Sequence, residues 1–432
     1  MNPDLHVLAC AYAARPNAGS ESYVGWAGLL AISQFCRVTA IVHGHNRSEI
    51  EPALPSLPQR ENLRFHYLGE TQNWHPNRMI ARFQDWSWVT AWTKKAHELA
   101  KDLSAKERFD LAHHLTIATW RLPSPLADLG LPLVWGPIGG AESFPPSFYS
   151  VLSPVARGFE LLRWSGNHIT LRSRRMRRFA SEVSVALGNN RETITALGQL
   201  GIPYNRTKYL SQSFLPAGKF LSLEELNEKW SKAKQSSGDI QGYKKKLKIF
   251  AGGNLEGRKG VAIALQALVR LGRSGIPFSF SFGGLGPELG HLQRSVAKMN
   301  FGSGTVSLGH HFSGDEYRRH LAEADVYLLP SLREGAPVTM IEAMACGAVP
   351  VVADAGGAPM VVDSSCGFVV PVTSPDQMAF DICSCLESLA SDPPRLEALS
   401  RAAWARAKER CTERAYLEGI EEAYGRATGR NC

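Results

Sequence analysis

The chain of 432 residues lacks the features of several large classes of protein. It contains no apolar run close to the roughly 20 residues that a membrane-spanning helix requires. Its first residues, MNPDLHVLACAYA, include no basic region, and their apolar run is too short for a secretory signal peptide. No internal repeat of short, fixed period occurs. The sequence therefore predicts a cytoplasmic protein, rather than an integral membrane, secreted or repeat protein.

Patterns that bind metals or form disulfides are also missing from the sequence. The eight cysteines are scattered, and Cys383 and Cys385 have the wrong spacing for a zinc knuckle or a thioredoxin-like pair. No Asp-x-Asp triplet occurs, and the histidines show no spacing typical of a metal site. We therefore expect a reducing compartment and no resident metal or other cofactor.

Composition and charge favour a large globular protein with an anionic partner. Apolar residues make up 44% of the chain and charged residues 20%, and the length favours two α/β domains. The net charge is +8, from 48 basic and 40 acidic residues, which suits nucleic acid, an anionic membrane or a phosphorylated ligand. Between residues 151 and 180, seven arginines accompany a single glutamate, so this stretch carries a net charge of +6.

Two carboxylates lie in one strand–loop–helix–strand unit near the C-terminal third of the chain. The short apolar runs Val326–Leu329 and Val349–Val352 predict buried parallel strands. Between them, Pro337 suits a first helical turn, Glu334 precedes the helix, and Glu342 follows about a turn and a half into it. Ligands of open α/β sheets bind outside the carboxyl ends of the strands, so both acids are candidates for a binding site. The alternative is that both are solvated surface acids.

The surroundings of these acids resemble a known family. Glu342 is embedded among apolar residues, and the run EGAPVTMIEAMACG resembles the paired-glutamate motif of retaining GT-B glycosyltransferases of family 4, of the bacterial group 1 type. The resemblance implies two facing Rossmann-like domains and a C-terminal helix that crosses back to the first domain. We expect an N-terminal, acceptor-side domain at 1–206, completed by 411–432, and a C-terminal, nucleotide-sugar-binding domain at 207–410.

On the donor side, the resemblance assigns roles to a glycine-rich basic turn and to the glutamate motif. Lys259-Gly260 matches a phosphate-binding Lys-Gly pair, whereas the family's preceding Arg is replaced by Gly253 or Asn254, with Arg258 as the candidate substitute. Such a turn before a helix also suits a diphosphate on physical grounds, although a basic surface turn is the alternative. The donor-binding and catalytic positions that the family then implies are Glu342 at the ribose, Glu334 beside the sugar, and the backbone of Gly335 and Ala336 at sugar hydroxyls.

Two further stretches are candidates on the acceptor side. Gly19, in the loop after the first predicted strand, matches a family loop that faces the donor diphosphate, although a simple turn is an equal alternative. The stretch from His113 through Arg121 to WGPIGG resembles a bacterial subset of the family, in which a histidine orients the transferring sugar. His114 is the alternative to His113, and a satisfied, partly buried imidazole is the alternative to catalysis.

The sequence is compatible with three functions from different classes, to different degrees. The resemblance implies a metal-independent retaining glycosyltransferase (EC 2.4) that moves a sugar from a nucleotide-diphosphate sugar to a hydroxyl acceptor, a lipid-linked glycan or a precursor of polysaccharide or cell envelope. A non-catalytic protein that binds nucleotide sugars or a partner on a GT-B scaffold is the alternative, favoured by Gly253. A dinucleotide oxidoreductase is disfavoured, because GSESYVGW lacks the G-x-G-x-x-G spacing.

The basic stretch predicts peripheral binding to the inner face of the cell membrane. Ile169, Met176, Ala180 and Val183 recur at helical spacing among five arginines, and apolar residues from Phe159 to Trp164 precede them. A basic amphipathic segment is typical of a helix that lies on anionic lipid. The alternative is that the apolar stripe packs on the first domain's sheet. Nucleic acid is not expected as a partner, since no binding module is recognisable.

Overall fold

A computed structural model describes residues 5–16, 20–69, 78–117, 119–237 and 246–429 of the chain. The chain folds as two compact units. The first comprises the described parts of Met1–Ala141, Gly166–Gln212 and Tyr416–Cys432, and the second those of Glu142–Ser165 and Ser213–Ala415. Residues 142–165 thus group with the second unit, and the domain bounds given above stay a prediction.

The first unit is built on a seven-stranded sheet whose strands all pair in parallel. Its strands are His6–Ala11 (β1), Arg37–His43 (β2), Leu63–Leu68 (β3), Leu111–Thr116 (β4), Leu133–Ile138 (β5), Val183–Gly188 (β6) and Thr207–Tyr209 (β7). The spatial order is β3-β2-β1-β4-β5-β6-β7, so the chain reverses direction across the sheet between β1 and β4. Strands β1, β4 and β5 are almost entirely buried, which explains the apolar runs of β1 and β5.

Helices cover the first sheet and connect its strands. They are Ser20–Ile32 (α1), Arg47–Ala53 (α2), Arg78–Lys106 (α3), Pro154–Arg172 (α4), Arg174–Glu182 (α5) and Arg191–Leu200 (α6). Helix α4 begins in the second unit and ends in the first. Before it, Phe144, Phe148 and Leu152 insert into the core of the second unit, which is why that part of the chain groups there.

The second unit has a six-stranded parallel sheet. Its strands are Leu247–Gly252 (β8), Phe278–Gly283 (β9), Thr305–His310 (β10), Val326–Leu329 (β11), Val349–Ala353 (β12) and Phe368–Val370 (β13), in the order β10-β9-β8-β11-β12-β13. Its helices are Leu223–Ser237 (α7), Val261–Arg273 (α8), Leu289–Val296 (α9), Gly314–Glu323 (α10), Val338–Ala345 (α11), Pro375–Ser391 (α12) and Pro393–Arg410 (α13). The predicted class, two doubly wound α/β domains, is confirmed.

The last helix, Glu413–Thr428 (α14), returns the chain to the first unit. It buries Tyr416, Ile420 and Tyr424 completely or nearly so. The Tyr424 ring meets the ring of His113, on β4, at a centroid distance of 5.4 Å. The predicted return of the C-terminal helix is therefore confirmed.

The prediction that the apolar stripe of the basic stretch faces lipid is wrong. Met176, Ala180 and Val183 are at most 3% exposed and belong to the core of the first unit. Ile169 alone among the four is exposed, at 70%. The helical spacing is broken at Ser173, whose hydroxyl accepts the Met176 N–H and caps the start of α5. The alternative, packing of this stripe on the first sheet, is what the structure shows for α5.

In the described ranges, which omit a few short stretches, no helix combines the length and the apolar character needed to cross a bilayer.

Candidate functional site

The second sheet has its topological switch between β8 and β11, which pair side by side. From β8 the chain continues through β9 to one edge, and from β11 through β12 to the other. Loops after two such strands diverge to opposite faces and leave a crevice at the carboxyl ends, where ligands of doubly wound folds bind. Lys259 follows β8 and Glu334 follows β11, so both stand at this position.

Lys259 and Glu334 form a nearly buried ion pair. The Lys259 Nζ donates to Glu334 Oε2 at 2.5 Å, and the two side chains are only 9% and 14% exposed. The Arg258 Nη1 lies 3.4 Å from the same carboxylate oxygen and donates to the Arg333 carbonyl at 3.0 Å. The Arg258 Nε donates to Glu256 Oε2 at 2.7 Å. Two cations from one loop thus converge on the acid of the neighbouring loop.

Electrostatics keeps Glu334 ionised in this setting. Burial opposes ionisation, but the ammonium of Lys259 and then the guanidinium of Arg258 outweigh it, so the pKa of Glu334 lies below its ordinary value. Burying a charged group without a partner is costly. The two charges of the pair therefore compensate each other in this nearly buried position.

Glycines allow the two loops to approach so closely. Gly260 has φ +66°, and a Cβ there would lie 2.1 Å from the Pro330 carbonyl oxygen. Gly356 has φ +66°, and a Cβ there would lie 1.9 Å from the Glu334 carbonyl oxygen. Only glycine accepts both this backbone conformation and this proximity. Gly260 therefore lets the basic loop approach the loop after β11, and Gly356 lets the loop after β12 pack on the backbone of Glu334.

The basic loop ends at the start of a helix whose first N–H groups have no side-chain cap. Gly260 is the N-cap of the 13-residue helix α8, and it has no side chain to accept the N–H groups of the first turn. The positive end of the helix dipole thus begins directly after Lys259 in the chain. Together these groups suit an anion such as a diphosphate.

An ion pair that the sequence did not reveal anchors the loop of Glu334. Arg333, the residue before it, donates through Nε and Nη2 to Glu160 Oε1 on α4, at 3.2 and 2.9 Å. The Glu160 side chain is 8% exposed and that of Arg333 is 20% exposed. The two residues are 173 positions apart in sequence, so no local pattern could have indicated the contact.

Glu342 lies in a different environment from Glu334. It is half-buried on α11, where burial raises its pKa and the nearby Lys219 partly counters that effect. Next to it, the Tyr327 hydroxyl donates to Thr339 Oγ1 at 2.6 Å. Burial raises the pKa of the nearby Tyr317, and the charge of Glu342 raises it further. The predicted helix around Glu342 is confirmed, with Pro337 as its N-cap rather than in its first turn.

The remaining predicted donor-side residues lie between these two acids. Gly335 and Ala336 connect Glu334 to α11, and the Ala336 carbonyl accepts the Ser213 hydroxyl at 3.2 Å. At the end of β10, the His310 ring stacks on Phe312 at a centroid distance of 5.1 Å. His320 of α10 stacks in turn on Phe250 of β8, with a 5.7 Å separation and an 8° interplanar angle. This aromatic group joins distant strands, so the sequence alone did not indicate it.

In the first unit, His113 is fully buried and both of its ring nitrogens are engaged. Nε2–H donates to the Gly136 carbonyl at 2.7 Å, and Nδ1 accepts the Tyr424 hydroxyl at 2.7 Å. Burial lowers its pKa to about 4, only partly opposed by the Gly136 carbonyl, so the imidazole is neutral at pH 7. This arrangement is the satisfied imidazole considered above, and it holds α14 on the sheet. A catalytic role would require the ring to give up one of these bonds.

The other acceptor-side candidates are placed as follows. His114 points to the opposite face of the sheet, because it is next to His113 on β4, and it is register-paired with Trp135. Arg121 donates from Nε to Asn167 Oδ1 at 2.9 Å and from Nη2 to the Gly140 carbonyl at 2.7 Å. Gly19 lies outside the described residues.

Comparison with known proteins places a family domain over this candidate site. The family model described as "Glycosyl transferases group 1" matches residues 246–388, a range that contains Arg258, Lys259, Glu334 and Glu342. The amylovoran biosynthesis glycosyltransferase AmsK of Erwinia amylovora is 31% identical over 132 residues, 29% of this chain and 32% of AmsK.

A second curated relative is the GDP-mannose-dependent alpha-(1-6)-phosphatidylinositol monomannoside mannosyltransferase of Mycolicibacterium smegmatis. It is 34% identical over 154 residues, which cover 34% of this chain and 39% of that protein. This chain therefore spans about a third of the length of the curated relatives it matches. The shared part of the sequence is a domain rather than the whole protein.

Solved structures resemble the chain over almost its entire length. HepE from Anabaena, in complex with UDP and glucose, superposes with a TM-score of 0.55 at 15% identity, over 97% of this chain and 98% of HepE. At this identity the likeness shows the fold, which is GT-B, and the predicted fold is confirmed.

The contacts of His113 generate a first expectation. Replacing Tyr424 by Phe removes the hydroxyl and leaves His113 Nδ1 without a donor inside the core, so we expect the chain to lose about 1–3 kcal/mol of stability. The midpoint of urea unfolding measures this change. Tyr204→Phe is the matched control, since Tyr204 is 86% exposed and should change stability little. An unchanged midpoint for the Tyr424 variant would argue against the structural role of this bond.

The ion pair of Glu334 predicts a pH dependence of stability. Because the folded-state pKa lies below the unfolded value of about 4.3, the pair stabilises the fold above that pH. This stability is lost as the pH falls through the lower, folded-state pKa. We therefore expect Glu334→Gln to be less stable than wild type at pH 7 and the gap to narrow below about pH 4.3.

Unfolding midpoints measured across this pH range test the expectation. Glu323→Gln is the control, because Glu323 makes an exposed pair with Lys248 whose side chains are both 55% exposed. That variant should follow wild type at every pH. A gap between wild type and Glu334→Gln that is constant or widens on acidification would contradict the assignment.

Proposed function

We propose that the chain is a retaining glycosyltransferase that needs no metal and moves a sugar from a nucleotide-diphosphate sugar to a hydroxyl acceptor. One observation carries the proposal: the convergence of Arg258 and Lys259 on Glu334 at the switch point of the second sheet. This convergence lies inside the segment that matches the glycosyltransferase family model.

The basic loop is suited to the diphosphate of the donor. Departure of a nucleoside diphosphate from the sugar leaves additional negative charge on the phosphate oxygens. Lys259, Arg258 and the first turn of α8 offer preorganised donors to that charge in a nearly water-free position. Arg258 directly precedes Lys259, the lysine of the matched Lys-Gly pair. It supplies the second cation, which Asn254 or Gly253 cannot supply. The loop thus fills the role that a divalent metal has in other glycosyltransferases.

Glu334 exchanges its partner when the donor binds. In the structure described, its carboxylate occupies a hydrogen-bonding direction of Lys259, 2.5 Å from Nζ. A bound diphosphate competes for the same ammonium, and Glu334 then becomes available to a sugar hydroxyl. A carboxylate stabilised by two cations is a poor nucleophile, because its low pKa reflects a weakly basic oxygen. This supports attack of the acceptor on the same face of the sugar as the leaving phosphate, which retains the anomeric configuration.

Glu342 is assigned to the donor's ribose. An ionised carboxylate accepts two hydroxyl hydrogens, and its half-buried position on α11 strengthens such bonds by excluding water. Gly335 and Ala336 can donate backbone N–H groups to the hydroxyls of the sugar. Pro337 has no N–H, so the loop offers one donor fewer at that position.

The acceptor class is proposed from the relatives. AmsK is named for amylovoran biosynthesis, and the mycobacterial enzyme for a phosphatidylinositol monomannoside acceptor. The first relative thus belongs to polysaccharide biosynthesis, and the second is named for a lipid-linked acceptor. We therefore assign to this chain a hydroxyl acceptor on a lipid-linked glycan or on a precursor of polysaccharide or cell envelope.

Thermal-shift measurements with UDP- and GDP-sugars identify the donor, and incubation with the radiolabelled donor then tests transfer. The proposal expects stabilisation by one donor class and release of the labelled sugar to an acceptor or to water. Binding without either reaction would favour the alternative, a non-catalytic protein that binds nucleotide sugars.

The two acids should differ in their effects. We expect Glu342→Ala to weaken nucleotide binding by about 100-fold, because it removes a ground-state contact to ribose. A hydrogen bond to a charged acceptor contributes about 1.5–3 kcal/mol. Glu334→Gln should not weaken nucleotide binding, because it removes the carboxylate that competes for Lys259, and it should lower turnover instead. Calorimetric titration and initial rates measure the two effects separately. Undiminished nucleotide affinity in the Glu342 variant would refute its assignment.

Transfer should not depend on a divalent cation. Among the residues that the structure describes, no three His, Cys, Asp or Glu side chains are placed to hold a metal ion, and the basic loop already carries two cations. We expect the same initial rate with and without excess chelator. Loss of activity in chelator, restored by magnesium or manganese, would overturn this part of the proposal.

A further inference from the structure

Helix α4 exposes an unusual number of large apolar side chains. Its five members among the exposed large apolar residues are Val155 (62%), Leu161 (55%), Leu162 (64%), Trp164 (48%) and Ile169 (70%). Four other such residues are spread over the rest of the described chain. Exposed apolar residues scattered singly are normal in soluble proteins, whereas a group on one helix marks an interaction surface.

These side chains spread over one half of the helix circumference. Val155, Leu162 and Ile169 recur every seven residues, which is close to two helical turns, and Leu161 and Trp164 widen the stripe. The opposite side is fixed to the protein, because Glu160 and Asn167 there are 7% and 5% exposed. We call the exposed side, formed by Val155, Arg157, Leu161, Leu162, Trp164, Ile169 and Arg172, the outer face of α4.

The charge of the outer face is entirely positive. Arg157 and Arg172 are exposed among the apolar residues. The single acid of α4, Glu160, is on the inner side, where it pairs with Arg333. The next helix adds four exposed arginines, Arg174, Arg175, Arg177 and Arg178, while its apolar residues Met176 and Phe179 point into the core. Among the described residues, the outer face of α4 thus carries cations and no acid, and α5 adds four exposed arginines directly after it in sequence.

We propose that the outer face of α4 docks on an anionic lipid bilayer, with the arginines of α5 at the lipid headgroups. Leucine, isoleucine and valine side chains can enter the boundary between headgroups and acyl chains, where tryptophan is also favoured. Arginine can extend its charged group to the phosphates while its stem stays in apolar surroundings. The uniformly positive border matches a negatively charged surface and sets lipid apart from a second copy of the chain, whose own outer face would repel it.

The structure relocates the surface that the sequence predicted. The predicted stripe continued through Met176, Ala180 and Val183, which are buried, so α5 contributes charge but no apolar contact. The apolar contact comes from α4 instead. The inference goes beyond the proposed function and does not depend on it, because lipid binding can be measured without a donor or an acceptor.

Co-sedimentation of the full chain with vesicles tests the proposal. We expect binding to phosphatidylcholine vesicles that contain phosphatidylglycerol, little binding to pure phosphatidylcholine, and weaker binding as salt is raised. The quadruple variant Arg174→Ser, Arg175→Ser, Arg177→Ser and Arg178→Ser should lose at least about 100-fold in affinity, since each arginine near the surface contributes about fivefold. The triple variant Leu162→Ser, Trp164→Ser and Ile169→Ser should lose roughly tenfold or more.

Matched controls remove similar groups from other exposed positions. Leu285→Ser with Phe380→Ser removes apolar side chains that are 49% and 53% exposed. Lys101→Ser, Arg273→Ser, Arg294→Ser and Lys298→Ser remove four exposed cations. Both controls should bind vesicles like wild type. Because every substituted residue is exposed, unfolding midpoints should stay unchanged, which separates loss of binding from loss of folding.

Three outcomes would overturn the proposal. Equal sedimentation with neutral and anionic vesicles would remove the role of charge. Unaltered binding of the triple or the quadruple variant would remove the role of the outer face or of α5. Self-association in vesicle-free sedimentation velocity runs, abolished by the triple variant, would show instead that the outer face joins two copies of the chain.

Discussion

The ion pair between Lys259 and Glu334 is the constraint on which the second unit's candidate site depends. Removing two charges from water is costly, and it is tolerated only where each charge finds the other at hydrogen-bonding distance. Here the distance is 2.5 Å, and the loops that carry the pair pack closely at Gly260 and Gly356, where any side chain would collide with Pro330 or Glu334. The glycines, the pair and the switch point of the sheet therefore form one arrangement: topology brings the loops together, and glycine lets them touch.

The same arrangement makes the site suitable for an anionic ligand. Glu334 neutralises Lys259, and phosphate oxygens can take its place, because both cations form charge-assisted hydrogen bonds with phosphate. Glu342 behaves differently, because burial raises its pKa and Lys219 compensates only in part. Two acids eight residues apart thus have opposite electrostatic surroundings, which suits two different parts of one donor.

Much of this could be predicted from the sequence, and the rest depends on contacts between distant residues. The apolar runs located the strands β11 and β12 closely, because buried parallel strands are short and apolar throughout. Lys259, Glu334 and Glu342 became candidates because the residues around them resemble the motifs of a known family. The Arg333–Glu160 pair could not be predicted, because it joins helix α4 to a loop that is 173 positions away in sequence. The burial of Met176 was missed because Ser173 interrupts the helix, and helical spacing across such a break has no structural meaning.

The central claim is that Lys259 and Glu334 form a site for a nucleoside diphosphate, and calorimetric titration of di- and monophosphates tests it most directly. UDP with UMP, and GDP with GMP, should be compared on wild type and on the double variant Lys259→Met with Glu334→Gln, which leaves no unpaired buried charge. The account predicts that wild type binds one diphosphate at least about tenfold more tightly than its monophosphate, as one charge-assisted hydrogen bond warrants, and that the double variant loses this preference. A preference that persists in the double variant would contradict the account.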